Sequence, residues 1–534
     1  MAADRTTGSY MAESRFYRFT EYIFFAFITV VIVINVLIDN RFYYMYQNNS
    51  RLPNVIMFGV FLVFASGFLL AGELIRSKVK FPVTRPSSDF SHTMRFLKWL
   101  TLLLFAVQLI YAYEIYFETG WDCRQIVTMA QDIAFNKASI GDAHYFSLYP
   151  NNSFLTGIFA GILKVFWLCN IKGAYFPLIF VGALLVSLTG YFMADCVRVL
   201  TNRKSLVYIM WIVYVILTGL SPWISIPYSD TYSIFFPTFI IWLYISGRDR
   251  VRQEIWGLIS FVAFIGYFIK PTVLLTFMAL ALFEVLHFLF GFNVKHVKEN
   301  LKKFAIFVLG IVIGASFAFL ARYGMNKAIG FTPDETRSVT PAHYFMMGFN
   351  ESSGGGYNQE DVNRSFAYPD IKTRNAEDLK EGMARIKGMM PVRIFKFMAQ
   401  KSLTNFNDGT FGWGNEGDFY WAYFDRGDKI SLFLRSFVYH NGANHDIYVA
   451  ITQAIWFMTL CFCSLIVIRG HKYRDYRETS ILAVMFMIMC FLMVFEARAR
   501  YLYLYSPVIY MVASIGLKRL IEGRVNTEDE GNNC

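Results

Sequence analysis

Long apolar stretches separated by short polar segments dominate the chain. A membrane-spanning helix needs about 20 mostly apolar residues, and stretches of this kind recur from residue 20 to residue 518. The pattern predicts an all-α polytopic membrane protein, a bundle of about 12 transmembrane helices. The predicted spans are residues 20–38, 54–75, 97–116, 173–195, 206–224, 232–246, 255–269, 271–291, 304–322, 447–468, 480–495 and 502–518.

Lysine and arginine predict the orientation of these spans. They concentrate in five short segments, which the positive-inside rule places in the cytosol: residues 76–95, 198–204, 248–252, 295–303 and 469–477. All five can be cytosolic only if one further apolar stretch, residues 153–169, does not cross. We therefore predict a juxtamembrane or re-entrant helix there, on the outer side, with both termini cytosolic. The alternative is that this stretch crosses and another predicted span is wrong.

This orientation divides the chain into five parts. The polar residues between the spans at 304–322 and 447–468 are too many for a simple loop, and we expect a mixed extracytoplasmic insert with a helical stretch around residues 376–398. The parts are residues 1–96 (two transmembrane helices and a cytosolic loop), 97–322 (the membrane core, with its first outer loop at 117–152), 323–446 (the insert), 447–521 (the C-terminal transmembrane helices) and 522–534 (a cytosolic tail).

Composition agrees with this architecture. Of the 534 residues, 55% are hydrophobic and 17% are charged, which is typical of a membrane protein and not of a soluble one. The net charge of +11 does not indicate nucleic acid, because the basic residues lie between the spans. The seven cysteines show neither a CxxC pair nor a metal-ligand spacing. The lipid bilayer is the partner that composition predicts.

Charged residues occur where the predicted spans reach the outer side. Residues 117–150 directly follow a span and contain Asp122, Arg124, His144 and Tyr149. Charge at the end of a span is costly unless it serves a purpose, so Asp122 is a candidate catalytic base. Because an apolar, helix-periodic run follows it, Asp122 is equally compatible with a helix cap.

Three later groups have the same predicted location. Asp230 lies at the mouth of a span, and with Asp122 it would supply a general base and a metal or substrate ligand. Lys270 interrupts an apolar run just before a proline; either it snorkels to the interface or it binds a phosphate. The sequence Glu496-Ala-Arg498-Ala-Arg500-Tyr501 separates the last two spans. Arginine suits phosphate binding, and a pair that closes a hairpin is the alternative.

The insert contributes weaker candidates. His343 lies in the sequence HYFMMGFN, and Asn407 and Asp408 lie in NFNDGTFGWG. Polar side chains mixed with aromatic rings suit a saccharide, which offers hydroxyl groups and apolar ring faces. The same composition suits an ordinary turn-rich loop.

Together these features resemble the GT-C superfamily of integral membrane glycosyltransferases, which take a sugar from a polyprenyl-phosphate carrier. The resemblance rests on an acid just outside an early span (Asp122), a Tyr149-Pro150 pair that leads into an apolar helix, and a second outer acid (Asp230). Protein O-mannosyltransferases and the lipid A aminoarabinose transferase show a similar pattern. The resemblance implies that Asp122 is the catalytic acid of the first outer loop and that Asp230 is its counterpart in a later loop.

Two further likenesses accompany the first. Arg500-Tyr501 is similar to an Arg-Tyr element that precedes a late span in many of these enzymes. The sequences HYFMMGFN, NQEDV and FNDGTFGWGNEG resemble membrane proteins of Gram-positive bacteria, which implies a bacterial cell membrane. The chain departs from some relatives at Leu148-Tyr149-Pro150, where they carry an acid and a lysine before the proline. A divalent cation at Asp122 and Asp230 therefore stays open, and two extra spans precede the catalytic loop.

These arguments predict an inverting sugar transfer with Asp122 as the base. The donor would be a polyprenyl-phosphate sugar, and the acceptor a cell-wall polysaccharide, a teichoic acid or another envelope component outside the cytosol. The alternatives are a transporter or flippase, or a polymerase or ligase, for lipid-linked saccharides.

Overall fold

The computed structural model describes most of the chain. The described residues are 7–37, 56, 59, 62, 63, 89–136, 138–141, 143–246, 254–290, 296–332, 334, 336–413, 420–424, 426–467 and 475–531. Apart from four residues, the predicted span at 54–75 lies outside them, as do the basic residues at 248–252.

Almost all of the described secondary structure is helical. The helices are α1 (Thr7–Leu37), α2 (Ser91–Glu114), α3 (Trp121–Asn136), α4 (His144–Leu148), α5 (Asn151–Leu168), α6 (Tyr175–Thr201), α7 (Lys204–Tyr214), α8 (Ser229–Ser233), α9 (Phe235–Ile245), α10 (Ile255–Ile269), α11 (Leu274–Phe290), α12 (Val297–Ala328), α13 (Pro341–Gly348), α14 (Gln359–Phe366), α15 (Ile371–Met389), α16 (Arg393–Phe406), α17 (Lys429–Val438), α18 (His445–Ser464), α19 (Tyr476–Val494) and α20 (Tyr501–Gly531). Two strands, β1 (Phe117–Thr119) and β2 (Tyr420–Tyr423), pair antiparallel.

Eight helical segments among the described residues are long and apolar enough to cross a membrane. They are Tyr17–Leu37, Ser91–Glu114, Tyr175–Thr201, Pro271–Phe290, Val297–Ala328, His445–Val467, Tyr476–Val494 and Tyr501–Glu522. The prediction of an all-helical, multi-span membrane protein is confirmed, whereas the count of about 12 stays a prediction.

Three predicted spans form helices shorter than the about 20 residues of a typical membrane-spanning helix. The predicted span at 206–224 becomes α7 followed by a π-helical turn, Val215–Gly219, and then by Pro222. The predicted span at 232–246 contains α9, whose 11 residues extend over only about 16 Å. The third, at 255–269, corresponds to α10, which ends where Pro271 prevents continuous helical hydrogen bonding. These breaks leave polar backbone and side chains at the end of the bundle where Asp230 and Lys270 lie.

Helix α20 lies at the centre of the bundle. It packs against α6, α18 and α19. In its most apolar stretch of 18 residues, 78% of the residues are buried inside the protein. It begins at Tyr501, directly after Arg498 and Arg500, and Arg519 lies 18 residues further along it, about 27 Å away. We call the end of the bundle that holds Arg500 the site end and the end that holds Arg519 the opposite end.

The predicted insert is a helical layer at the site end. Because α12 continues to Ala328, the layer begins a few residues later than predicted. The helical stretch expected around 376–398 is two helices, α15 and α16. The insert has a small apolar cluster of its own, formed by Phe349, Met389 and Phe397. Strand β2 pairs with β1, which lies in the loop at residues 117–152, and so joins the insert to that loop.

Residues 153–169 form most of α5, which is not one of the eight candidate spans. The helix packs against α3, α6, α10 and α12. Its N-terminal half is largely buried, whereas Val165, Trp167 and Leu168 are exposed near its C-terminus. Its placement at the membrane surface stays a prediction.

Candidate functional site

The first part of the site is the start of α3. Trp121, its first residue, has a φ of 42°, in the left-handed region that is unfavourable for a bulky side chain. Residues with such strained backbone conformations cluster at functional sites. The Trp121 indole donates a hydrogen bond to Thr119 Oγ1 at 2.7 Å, and its ring centroid lies 4.8 Å from that of Tyr228. Asp122 follows in the first helical turn, where the helix dipole favours a negative charge.

Asp122 lies among tyrosine hydroxyl groups. The phenol of Tyr228, which precedes α8, donates a hydrogen bond to Asp122 Oδ2 at 3.1 Å. Tyr145, on α4, is close enough that the Asp122 carboxylate adds to burial in raising the pKa of its phenol. Asn152 donates a hydrogen bond to the Tyr145 hydroxyl at 2.7 Å and fixes its position. The carboxylate of Asp122 therefore faces partners on other elements, so a role limited to capping its own helix does not account for it.

The second part of the site is one buried carboxylate with two cations. Asp230, on α8, is 1% exposed. Lys270 Nζ contacts its Oδ1 atom, and Arg500 Nε lies 3.5 Å from its Oδ2 atom. Lys270 occupies the break between α10 and Pro271, and Arg500 immediately precedes α20. This group of three side chains has a formal charge of +1, which favours an anion beside it.

Arg500 connects the two parts. Its guanidinium carbon lies 4.8 Å from the ring centroid of Trp121 and 5.7 Å from the centroids of Trp223 and Tyr228. Cation–π attraction is strongest where water is excluded, as it is here. Tyr228 therefore contacts Asp122 with its hydroxyl group and Arg500 with its ring.

Glu496, Arg498 and Tyr501 form the third part. Arg498 Nε lies 3.0 Å from Glu496 Oε1, and the Tyr501 hydroxyl donates to Glu496 Oε2 at 2.8 Å. Lys270 Nζ lies 4.9 Å from the Tyr501 ring centroid, which joins this part to the Asp230 group. The Arg498 guanidinium also lies 5.8 Å from the ring centroid of Tyr357, a residue of the insert.

The insert fixes the backbone of this segment. The amide of Arg498 donates to Asn405 Oδ1 at 3.1 Å, and the amide of Ala497 donates to the carbonyl of Gly355 at 2.7 Å. A Cβ atom added to Gly348 would lie 2.6 Å from the carbonyl carbon of Phe495, so only glycine fits there. The insert therefore buttresses the segment that carries Arg498 and Arg500.

Tyr149 borders the same site. Burial, with the charge of Asp122 as the next contribution, raises the pKa of Tyr149 to about 12. Its ring centroid lies 5.4 Å from that of Tyr145. Of the predicted site residues, the structure thus brings together Asp122, Tyr149, Asp230, Lys270, Glu496, Arg498, Arg500 and Tyr501.

Three predicted binding residues have other surroundings. The Arg124 guanidinium lies over the ring of Trp421 on β2, 3.3 Å from its centroid. His144 is exposed at the start of α4. His343 is buried inside the insert, where its Nδ1 atom lies 2.7 Å from Ser365 Oγ, which donates to Asp378 at 2.8 Å. The structure therefore does not bring these three residues together with Asp122 and Asp230, and their binding role stays a prediction.

Asn407 and Asp408 also receive a structural role. Asp408 accepts hydrogen bonds from the amide and hydroxyl of Thr410 and from the amide of Gly412, and Asn407 Oδ1 accepts one from Gln453 at 2.8 Å. These bonds shape a buried loop. These contacts are those of an ordinary turn-rich loop, which was the alternative, and a saccharide site at Asn407 and Asp408 stays a prediction.

Tyr145, Trp223 and Asn405 belong to the site but were not predicted from the sequence. Tyr145 had a usable signal, because it precedes Tyr149 by four residues, about one helical turn. The sequence carried no signal for Trp223 and Asn405, because their positions depend on how α16 and the segment before α8 fold back onto residues 496–500.

The arrangement does not fit a divalent cation between Asp122 and Asp230. The two carboxylate oxygens of Asp230 face Lys270 and Arg500. Across the described residues, no three or more His, Cys, Asp or Glu side chains form a group suited to a metal. We therefore derive no step through a metal ion.

Comparison with known proteins identifies the chain at the level of a membrane-protein family. Residues 14–521 match the model of a family described as conserved hypothetical integral membrane protein. A search of curated proteins gave no match. A search of solved structures gave none either.

Proposed function

We propose that this chain, which belongs to the conserved hypothetical integral membrane protein family, is a glycosyltransferase that uses a polyprenyl-phosphate sugar. The observation that supports the proposal most directly is the pairing of two unlike environments. The Asp122 carboxylate lies among hydroxyl groups, and beside it two cations, Lys270 and Arg500, share the single carboxylate of Asp230. The first environment suits a base and the second suits a phosphate.

The proposed reaction exchanges one bond for another at the anomeric carbon. Asp122 takes the proton of an acceptor hydroxyl, and the acceptor oxygen forms a bond to that carbon from the face opposite the phosphate. The bond between the anomeric carbon and the phosphate oxygen breaks, so the configuration inverts. Polyprenyl phosphate leaves with the bonding electron pair.

Lys270 and Arg500 would stabilise the charge that develops on the departing phosphate. Asp230 is a positioning residue in this scheme, because its oxygens hold both cations in place before the donor binds. This changes its predicted role from a second catalytic acid to a counter-ion. We place the site on the extracytoplasmic side of a bacterial membrane and propose an envelope polysaccharide, a teichoic acid or another envelope component as the acceptor.

The direct test is Asp122→Asn in the purified full chain, reconstituted into vesicles with a panel of polyprenyl-phosphate sugars. Loss of the base should lower the release of polyprenyl phosphate by about 100-fold or more. The thermal unfolding midpoint should not change, because the amide keeps the shape of the side chain. The matched control is Asp132→Asn on the same helix, whose carboxylate accepts from the neighbouring Asn136 at an exposed position.

Equal release by the Asp122→Asn and wild-type chains would remove Asp122 from the mechanism. Movement of the intact lipid-linked sugar across the vesicle membrane, without cleavage, would instead support the transporter or flippase alternative. Growth of a lipid-linked oligosaccharide chain in the same assay would support a polymerase or ligase.

A further inference from the structure

Helix α17 has its polar and apolar faces reversed relative to a surface helix in water. Ser431 and Arg435 are buried, at 1% and 4% exposure. Ile430, Leu432 and Phe433 are exposed, at 63%, 53% and 62%. A helix on a water-facing surface places its apolar stripe against the protein and its charges outward. The outer face of α17 is therefore unsuited to water.

The buried polar face of α17 satisfies the end of a candidate membrane span. The last carbonyl groups of a helix lack partners within that helix. Ser431 Oγ donates to the carbonyl of Glu114, the last residue of α2, at 2.6 Å, and Arg435 Nε donates to the same carbonyl at 3.0 Å. The Tyr439 hydroxyl donates to the carbonyl of Ile115 at 3.1 Å. Helix α17 thus lies at the depth where α2 ends.

The exposed apolar face continues a surface that must contact lipid if α2 crosses the membrane. On α2, Ile110 is 62% exposed and Tyr113 is 51% exposed, both within the last two turns. On the insert side, Trp421 is 61% exposed and Phe424 is 44% exposed, and the ring of Phe424 lies 5.3 Å from that of Tyr116. Aromatic side chains of this kind are enriched at membrane interfaces.

Basic groups lie beside this apolar surface. The Arg426 guanidinium lies 3.7 Å from the ring centroid of Tyr113 and donates to the Tyr113 carbonyl at 3.3 Å. Lys429, at the start of α17, is exposed. Long basic side chains next to an apolar helix face suit the boundary between acyl chains and lipid phosphate groups.

We propose that α17 lies in the plane of the membrane at the site end and inserts Ile430, Leu432 and Phe433 into the acyl region of that leaflet. The occupant of this face is lipid, because the face continues the lipid-facing surface of α2. This inference does not depend on the proposed sugar transfer. One consequence concerns the site: β2 precedes α17 and pairs with β1, which lies just before Trp121 and Asp122. The bilayer thereby fixes the height of the site above its surface.

A nitroxide probe tests the proposal in the full chain. Phe433→Cys is labelled in a chain in which Cys169 and Cys534 are replaced by serine, and the protein is reconstituted into vesicles of zwitterionic and anionic phospholipid. Collision with oxygen, which concentrates in the acyl region, is compared with collision with a water-soluble nickel chelate. The control is Lys372→Cys, an exposed position on α15 of the same insert.

The expected result is a higher ratio of oxygen to nickel collisions at position 433 than at position 372. The thermal unfolding midpoints of the two labelled chains should equal that of the parent, because both positions are exposed. A nickel accessibility at 433 equal to that at 372 would overturn the proposal, since the face would then meet water. Protection of 433 from both reagents would also overturn it, because a second copy of the chain would then cover the face.

Discussion

Both ends of the helix bundle contain buried ionic groups, but their charges are arranged differently. At the opposite end, Arg519 contacts Glu21 and Glu478 at 2.8 and 2.9 Å, and Lys518 contacts Glu478 at 2.7 Å. Two cations and two carboxylates thus balance in that cluster. In the Asp230 group at the site end, two cations share one carboxylate.

The difference is the one expected between a structural network at the opposite end and the phosphate-binding site that we propose at the site end. The opposite-end cluster joins α1, α19 and α20, and its cations also bond backbone, with Lys518 donating to the carbonyl of Leu200. Among the described residues, the Asp230 group has two cations for one carboxylate and lies next to aromatic rings. The nearby acid, Asp122, accepts a hydrogen bond from the Tyr228 hydroxyl group. A balanced buried network gains nothing from an added anion, whereas a group with excess positive charge does.

Arg519→Met should give the largest loss of stability. It removes the charge between two buried carboxylates, and breaking such a pair costs about 3–5 kcal/mol. The thermal unfolding midpoint in detergent should fall, whereas binding of polyprenyl phosphate by the protein that remains folded should not change. The control is Lys303→Met on α12, which breaks an exposed ion pair with Glu299 and should cost at most about 1 kcal/mol. Equal midpoints for the two variants would show that the opposite-end cluster is not a structural network.

Asp230→Asn should destabilise the chain in a way that an anion reverses. The substitution leaves Lys270 and Arg500 beside a neutral amide. A phosphate can then take the place of the carboxylate, and a ligand at 100 times its dissociation constant stabilises a protein by about 2.7 kcal/mol. A short-chain polyprenyl phosphate should therefore raise the unfolding midpoint of Asp230→Asn more than that of the wild-type chain, where it competes with the carboxylate.

The matched variant for this experiment is Glu478→Gln, which makes the same kind of change at the opposite end. We expect no comparable recovery there, since its two cations also contact backbone carbonyl groups and lie away from the site. An equal rise in midpoint for the two variants would contradict the distinction between the two ends.

The sequence predicted the all-helical membrane fold, and it singled out most residues of the candidate site, for one physical reason. Charge within or beside an apolar span is costly, so Asp122, Asp230, Lys270 and Arg500 stand out without any structure. The same argument correctly indicated that Lys270 interrupts a helix. It could not give the partners of each group, because whether Asp230 faces a substrate or Lys270 depends on helix packing.

The insert was the least predictable part. Asn407 and Asp408 have a composition shared by binding loops and buried turns, and only the contacts of Asp408 with Thr410 and Gly412 distinguish the two. Residues 496–500 are supported by Gly348, Gly355 and Asn405. These contacts form where backbone segments that are distant in the sequence come close together. No periodicity in the sequence encodes such contacts. The reversed polarity of α17 is visible only after its buried face is known.

A lysine in that insert extends the comparison of buried cations. Lys401, on α16, is 0% exposed, and its Nζ atom donates to the carbonyl of Gly348 at 2.5 Å, near the rings of Phe349 and Phe397. Burial lowers the pKa of Lys401 to about 7, and the charge of Glu496 opposes that shift. Unlike Lys270 and Arg519, the Lys401 amine contacts a neutral carbonyl and aromatic rings rather than a carboxylate.

Lys401 should therefore make the stability of the chain depend on pH. The lysine pKa is about 10.4 in an unfolded chain, so between pH 7 and pH 10 the unfolded state binds more protons than the folded state. Stability then rises with pH across this window, by about 1 kcal/mol from pH 7 to pH 8, and below pH 7 the full cost of burying the charge is present. The unfolding midpoint of the wild-type chain should rise over that interval more than that of Lys401→Met. Lys396→Met, an exposed position on the same helix, should keep the wild-type dependence. If Lys401→Met also keeps the wild-type pH dependence of the unfolding midpoint, the Lys401 amine is charged in the folded protein at pH 8. Lys401 would then belong with the ion-paired cations at the two ends of the bundle.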